Sequence, residues 1–115
     1  MISVIIPANN EARYIGACLD QLRASEWPSD QPALQVVVAA NGCTDSTVED
    51  ARACQPAFAA NGWALDVLDL SEGNKIAALN AGDAAAFYDI RVYIDADIRV
   101  SPPLLTQLAQ VLDQE

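Results

Sequence analysis

Residues 34–47 read Leu34-Gln35-Val36-Val37-Val38-Ala39-Ala40-Asn41-Gly42-Cys43-Thr44-Asp45-Ser46-Thr47. The run 34–39 is apolar and β-branched, the composition of a strand buried on both faces. Asn41-Gly42 is a turn dipeptide that ends it. Ser46 or Thr47 can then cap a helix carrying Val48, Ala51 and Cys54, which should fail near Pro56. A buried strand that turns into a helix is half of a parallel crossover unit.

The same pattern recurs on either side. Upstream, Ser3-Val4-Ile5-Ile6 is a short apolar strand ended by Pro7. Asn9 and Asn10 can cap a helix whose apolar positions, Ile15, Cys18, Leu19 and Leu22, recur at three- and four-residue spacing. Residues 27–32 form a loop by composition. Downstream, a third strand is expected from Ala64 to Leu70, followed by the Ser71-Glu72-Gly73 turn. Ile76, Leu79, Asn80 and Ala84 mark the next helix. Residues 90–94 alternate as a strand and then turn acidic at Asp95-Ala96-Asp97. Ser101-Pro102 opens a last helix through Leu104, Leu105, Leu108, Val111 and Leu112. Four strand–helix alternations predict an α/β fold, a mostly parallel sheet with helices on both faces. A length of 115 residues allows one core, so residues 1–115 read as a single domain.

Composition narrows the function. The chain is 52% hydrophobic, which suits a folded domain rather than a disordered one. A net charge of −10 opposes nucleic acid and anionic lipid, so no nucleic-acid partner is expected. A phosphate-bearing ligand would need a cation to offset that charge. Histidine is absent, which removes the commonest general base and the commonest zinc ligand. Cys18, Cys43 and Cys54 form no CxxC pair and suit reduced thiols in a cytoplasmic protein. No apolar run approaches the roughly 18 residues that span a bilayer. The opening residues lack the basic segment of a secretion signal.

Every unusual polar cluster follows a strand: 9–11, 41–45, 73–75 and 95–97. Ligands of open α/β sheets bind beyond the carboxyl ends of the strands. Asp95 and Asp97 lie two apart at a strand end, so their carboxylates can share one side. A hard divalent ion such as Mg²⁺ or Mn²⁺ would relieve their repulsion and neutralise a departing diphosphate. The alternative is a pair of solvated turn carboxylates. Lys75, at a helix start, can hold a phosphate beside free N–H groups, or can be an ordinary surface charge. Glu11 can accept from a ribose or base, or can favour the first turn of its helix. Asn80 reads as at least half buried, satisfying backbone groups, and Asp45 reads as a cap.

Together these pieces resemble the inverting glycosyltransferases of GT-A fold known as glycosyltransferase family 2. Four ordered motifs carry the resemblance over essentially the whole chain. Residues 4–11, Val-Ile-Ile-Pro-Ala-Asn-Asn-Glu, resemble the family's opening strand and turn; residues 37–47 resemble its second. Residues 73–82, Gly-Asn-Lys-Ile-Ala-Ala-Leu-Asn-Ala-Gly, are similar to its lysine segment. Tyr93-Ile94-Asp95-Ala96-Asp97 is similar to its metal-binding Asp-x-Asp.

The resemblance implies transfer of a sugar from a nucleotide diphosphate sugar to an acceptor hydroxyl, with inversion. Asp97 would ligate Mg²⁺ or Mn²⁺, and Asp95 would contact the ribose or share the metal. Lys75 would lie near the phosphates, with Pro7, Ala8 and Glu11 lining the nucleoside pocket. Ala40 and Asn41 stand where the family has paired acids, which puts the donor base in question at the Asn41 end of the binding site. Asn9 replaces a common aromatic, and Asn74 stands where glycine is usual. The acceptor pocket and the general base are expected beyond Glu115, so the chain reads as the N-terminal part of a longer catalytic domain. The acceptor itself is unknown. A face left exposed on the acceptor side would favour self-association, and the expected location is cytoplasmic, the inner membrane face included.

Two other classes compete with this reading. A dehydrogenase or nucleotidyltransferase needs a glycine-rich loop after strand one, and residues 7–11 contain no glycine. A non-catalytic nucleotide-sugar-binding module is the alternative that shares the site.

Overall fold

Four strands form one sheet, and the side-chain alternation of the two central ones sets the layering. The computed structural model describes residues 2–24 and 34–96. In chain order the elements are β1 (Ile2–Ala8), α1 (Ile15–Ala24), β2 (Leu34–Asn41), α2 (Thr47–Ala53), α3 (Gln55–Ala60), β3 (Ala64–Leu70), α4 (Lys75–Ala85) and β4 (Ile90–Tyr93). The sheet order is β3-β2-β1-β4, and every pairing is parallel. The loop expected at 27–32 and the helix expected after Ser101 lie outside the described residues.

Even-numbered residues of β1 and β2 face one way. Ile2, Val4, Ile6, Val36 and Val38 pack with Ile15, Leu19 and Leu22 of α1, Ala51 of α2 and Phe58 of α3 in one core. Odd-numbered residues face α4. There Gly82 lies so close to β1 that a Cβ on it would meet Ile5 Cγ2 at 2.5 Å. Helices therefore cover both faces, as the alternation predicted, and β1 and β2 are buried along nearly their whole length. Among the described residues no helix is long and apolar enough to cross a membrane.

The α4 face also holds a buried polar network. Ser3 Oγ donates to Gln35 Oε1 at 2.7 Å, and Gln35 Nε2 donates to Asp66 Oδ2 at 2.8 Å and to the Ala85 carbonyl at 3.0 Å. Phe87 N–H donates to Gln35 Oε1, and Tyr88 N–H to Ser3 Oγ. Ser3 and Gln35 are fully buried, and each is partnered. The network fixes the end of α4 and the turn into β4.

Three local readings differ from expectation. β1 runs through Pro7 to Ala8 instead of ending at Pro7. Ile5 O accepts from Ile94 N, so odd residues of β1 direct their main-chain groups toward β4, and pairing with β4 stops at Ile5. The missing N–H of Pro7 thus falls where no ladder bond is needed. Pro56 does not simply end a helix: α2 stops at Ala53, and Pro56 sits in the first turn of α3. Proline is preorganised for that position. Asn9 and Asn10 do not cap α1; the turn into that helix is closed by the Glu11 carbonyl, which accepts from Tyr14 N and Ile15 N.

Candidate functional site at the strand ends

Strand order reverses at β1: the chain steps from β1 to β2 to β3, then returns across the sheet to β4. α1, α2 and α3 lie on one face and α4 on the other. The loops leaving β1 and β4 therefore diverge, which opens a crevice at the carboxyl ends of those strands. A cleft of about 270 Å³ occupies it, lined by Pro7, Asn9, Glu11, Asn41, Lys75, Asp95 and Ala96. A second hollow of about 290 Å³, lined by Leu79, Tyr93 and Ile94, shares Pro7, Lys75 and Asp95 with the first. The two form one trough.

The loops at the Asn41 end are clasped together. Asn9 Nδ2 donates to the carbonyl of Asn41 at 2.5 Å and to that of Gly42 at 3.4 Å. Asn10, with φ 53°, accepts at Oδ1 from the N–H groups of Thr44 and Asp45. Glu11 N–H donates to Thr47 Oγ1, and Ala12 N–H to Asp45 Oδ2. Asp45 also accepts from the N–H and hydroxyl of Thr47. The Thr47 hydroxyl is the main cause that holds the Asp45 carboxyl below its ordinary range; burial opposes it, and the N–H groups of Thr47 and Ala12 add to it. Asp45 thus organises the loops, in line with the capping role read from its neighbours. Gly42 completes the clasp. Its φ is 59°, and a Cβ there would approach Gly73 N to 2.5 Å, so the turns after β2 and β3 touch backbone to backbone.

At the other end, α4 begins in the trough. Asn74 is its N-cap, accepting at Oδ1 from Ala77 N–H at 3.0 Å. That gives a physical reason for asparagine before the lysine. Lys75 Nζ lies 3.1 Å from Asp95 Oδ1, with 64% and 51% of the two side chains exposed. Nearby, Tyr93 OH donates to Asp83 Oδ1 at 2.6 Å, which pushes the phenol pKa up and ties β4 to α4.

Of the residues singled out in the sequence, Pro7, Glu11, Asn41, Lys75 and Asp95 line the same cleft. Ala8 does not. Its side chain is buried in the core, and only its carbonyl reaches the loops, accepting from Asn41 Nδ2. Asp97 lies outside the described residues. Asn80, expected to be half buried, is exposed, because α4 turns Ala78 and Gly82 toward the sheet and Asn80 midway between them. Asn9 and Ala96 line the cleft without having been selected. Position directly after a strand was the available signal for both. Among the described residues no group of three or more His, Cys, Asp or Glu side chains could hold a metal ion. Among the described residues, Glu11 and Asp95 are the acidic residues that line the cleft.

A four-stranded, all-parallel sheet with helices on both faces is an α/β fold of the GT-A type. The chain belongs to glycosyl transferase family 2, whose family model matches residues 3–115. Glycosyltransferase AglE of Haloferax volcanii is 32% identical over 96 residues, which make up 84% of this chain and 30% of that protein. The mannosyltransferase PcManGT of Pyrobaculum calidifontis, solved in complex with GDP-Man and Mn²⁺, superposes with a TM-score of 0.81 at 30% identity, over 96% of this chain and 32% of its own. Staphylococcus aureus TarS 1-349, solved with UDP, shares the fold with a TM-score of 0.83 at 23% identity, over 98% of this chain and 32% of that one. This chain spans about a third of the length of these relatives.

Proposed function

We propose that this chain is the donor-binding portion of an inverting glycosyltransferase that takes a nucleotide diphosphate sugar in the trough between β1 and β4. The observation that carries the reading is the Lys75–Asp95 pair at the start of α4, where an ammonium and a hard anionic oxygen meet beside an open cleft. The amide-lined Asn9–Asn41 end would take the nucleoside, and Glu11 would accept from its ribose or base. Lys75 would leave Asp95 for the phosphates, drawn by their greater charge, and the positive end of α4 would favour the same anion. Asp95 would then be released toward Mg²⁺ or Mn²⁺, with Asp97 as a further ligand by family resemblance. The donor set suits such a cation: a half-exposed carboxylate with one oxygen held only by a flexible lysine. When bound, the cation supplies positive charge for the departing diphosphate. Support comes from membership of the family and from PcManGT, solved with GDP-Man and Mn²⁺. Deprotonation of the acceptor is assigned to no residue described here.

Calorimetric titration of nucleoside diphosphates and their sugars, with and without Mn²⁺, tests the reading on wild type and Asp97→Ala. Metal-dependent binding that Asp97→Ala loses is the expected outcome. Binding indifferent to both metal and substitution would refute it.

A further inference from the structure

The two ends of the trough differ in chemistry. β2, β1 and β4 are neighbours in a parallel sheet, so the trough runs along their carboxyl ends from Asn41 past Pro7 to Asp95. The first hollow is polar, with Asn9, Glu11 and Asn41 beside the Lys75–Asp95 pair. The second shares Pro7, Lys75 and Asp95 with it and adds only Leu79, Tyr93 and Ile94. At about 270 and 290 Å³, each hollow falls below the ~300 Å³ at which small-molecule pockets begin, and a nucleotide sugar outgrows either one. Such a ligand needs both.

The second hollow is walled by α4 and β4, and a polar tether holds the two together. Lys75, Leu79 and Asp83 follow one another at four-residue spacing, so they stand in one row along α4. Tyr93 OH donates to Asp83 Oδ1 at 2.6 Å, and Arg91 Nη1 reaches the same oxygen at 3.4 Å. The phenol hydrogen is committed to that bond, so the hydroxyl has none to give to a ligand. Ile94 keeps its side chain in the core, and its N–H is held by the Ile5 carbonyl. Beyond the shared charge pair, this end therefore offers the hydrocarbon of Leu79 and the ring of Tyr93, which is 52% exposed.

We propose that the Leu79–Tyr93 hollow receives the pyranose ring of the donor, with Tyr93 as the surface on which the sugar's carbon skeleton rests. The inference rests on the donor-binding reading above. A nucleotide diphosphate sugar is ordered nucleoside, diphosphate, sugar. The trough is ordered amides at Asn9 and Asn41, ammonium at Lys75, hydrocarbon at Leu79 and Tyr93. A pyranose carries C–H bonds on its faces and hydroxyls around its rim. The C–H groups are weakly positive and are drawn to the π-electrons of an aromatic ring, while the rim hydroxyls stay free for Asp95 or water. A nucleobase fares worse at this end. Its edge carries several polar atoms, and Leu79 with a committed phenol would leave most of them unpaired.

The test compares a sugar nucleotide with its own diphosphate, GDP-Man with GDP and UDP-GlcNAc with UDP, by calorimetric titration of the full chain in Mn²⁺. The readout is the ratio of the two affinities within the pair that binds. Tyr93→Ala should weaken the sugar nucleotide by about threefold to tenfold and leave its diphosphate unchanged. Tyr93→Phe keeps the ring and should keep the wild-type ratio. A general loss of folding lowers both affinities together, so it cannot imitate the expected result. Equal weakening of both ligands, an unchanged ratio in Tyr93→Ala, or a Tyr93→Phe variant that behaves like Tyr93→Ala overturns the assignment, while diphosphate binding by wild type stands. Failure of all four ligands to bind wild type removes the donor reading and this inference together.

Discussion

Lys75 and Asp95 carry opposite charges at the mouth of the trough, and both are more than half exposed. Such a pair contributes little to stability, because solvent screens it and ordering two side chains costs entropy. Its meaning is chemical. Lys75→Ala should weaken binding of a nucleoside diphosphate by roughly 10- to 100-fold, the scale of a hydrogen bond to a charged group, with almost no change in Tm. A large fall in Tm with unchanged affinity would instead make Lys75 structural. Asp45 gives a pH prediction at the same scale. Its folded pKa lies below the ordinary carboxylate value, chiefly through the Thr47 hydroxyl, so its stabilisation is complete above that ordinary value. It is lost as pH falls through the lowered folded value. As pH falls below the ordinary carboxylate value of about 4, the Tm of wild type should drop more steeply than that of Asp45→Asn. Equal slopes would show that the clasp does not depend on this charge.

Among the elements, Gln35 is the most exacting residue, since it serves Ser3, Asp66, Ala85 and Phe87 at once. Gln35→Leu would strand several of these groups and should cost on the order of 2–4 kcal/mol in chemical denaturation. A near-neutral effect would contradict the network. Gly42→Ala should also destabilise, because it combines a left-handed φ with a collision against Gly73. The turn at Gly42 was legible in the sequence, but its approach to Gly73 and the role of Gln35 were not. Gln35 sits in an apolar run and looked like any strand residue, since its partners come from 31 and more residues away. The strands themselves were legible: Ala64–Leu70 fell where its composition placed it, and β2 only gained Ala40 and Asn41. Misreadings came where tertiary partners overrode local preference. Asn9 and Asn10 are good caps by type, but the neighbouring loop offered them carbonyls and N–H groups first. Pro7 breaks a strand in general, but not at a position whose neighbour has already ended.

At the scale of the whole molecule, the return of the chain from β3 across to β4 does the most for function. It splits the helices between the faces and opens the trough where Asn9, Asn41, Lys75 and Asp95 converge from sites up to 86 positions apart in the chain. Five residues chosen from sequence line that trough, because polar clusters after strands must gather at one edge of a parallel sheet. The convergence was therefore readable in outline, while the orientation of each amide was not. The most direct measurement of the central claim is a backbone-amide NMR titration with GDP and Mn²⁺, whose paramagnetism broadens signals close to the ion. Signals of Asn9, Asn41, Lys75 and Asp95 should broaden or shift only when both ligands are present, while those of α3 stay unchanged. Effects centred on the separate hollow beside Asp69 and Glu72, or none at the trough, would contradict the account.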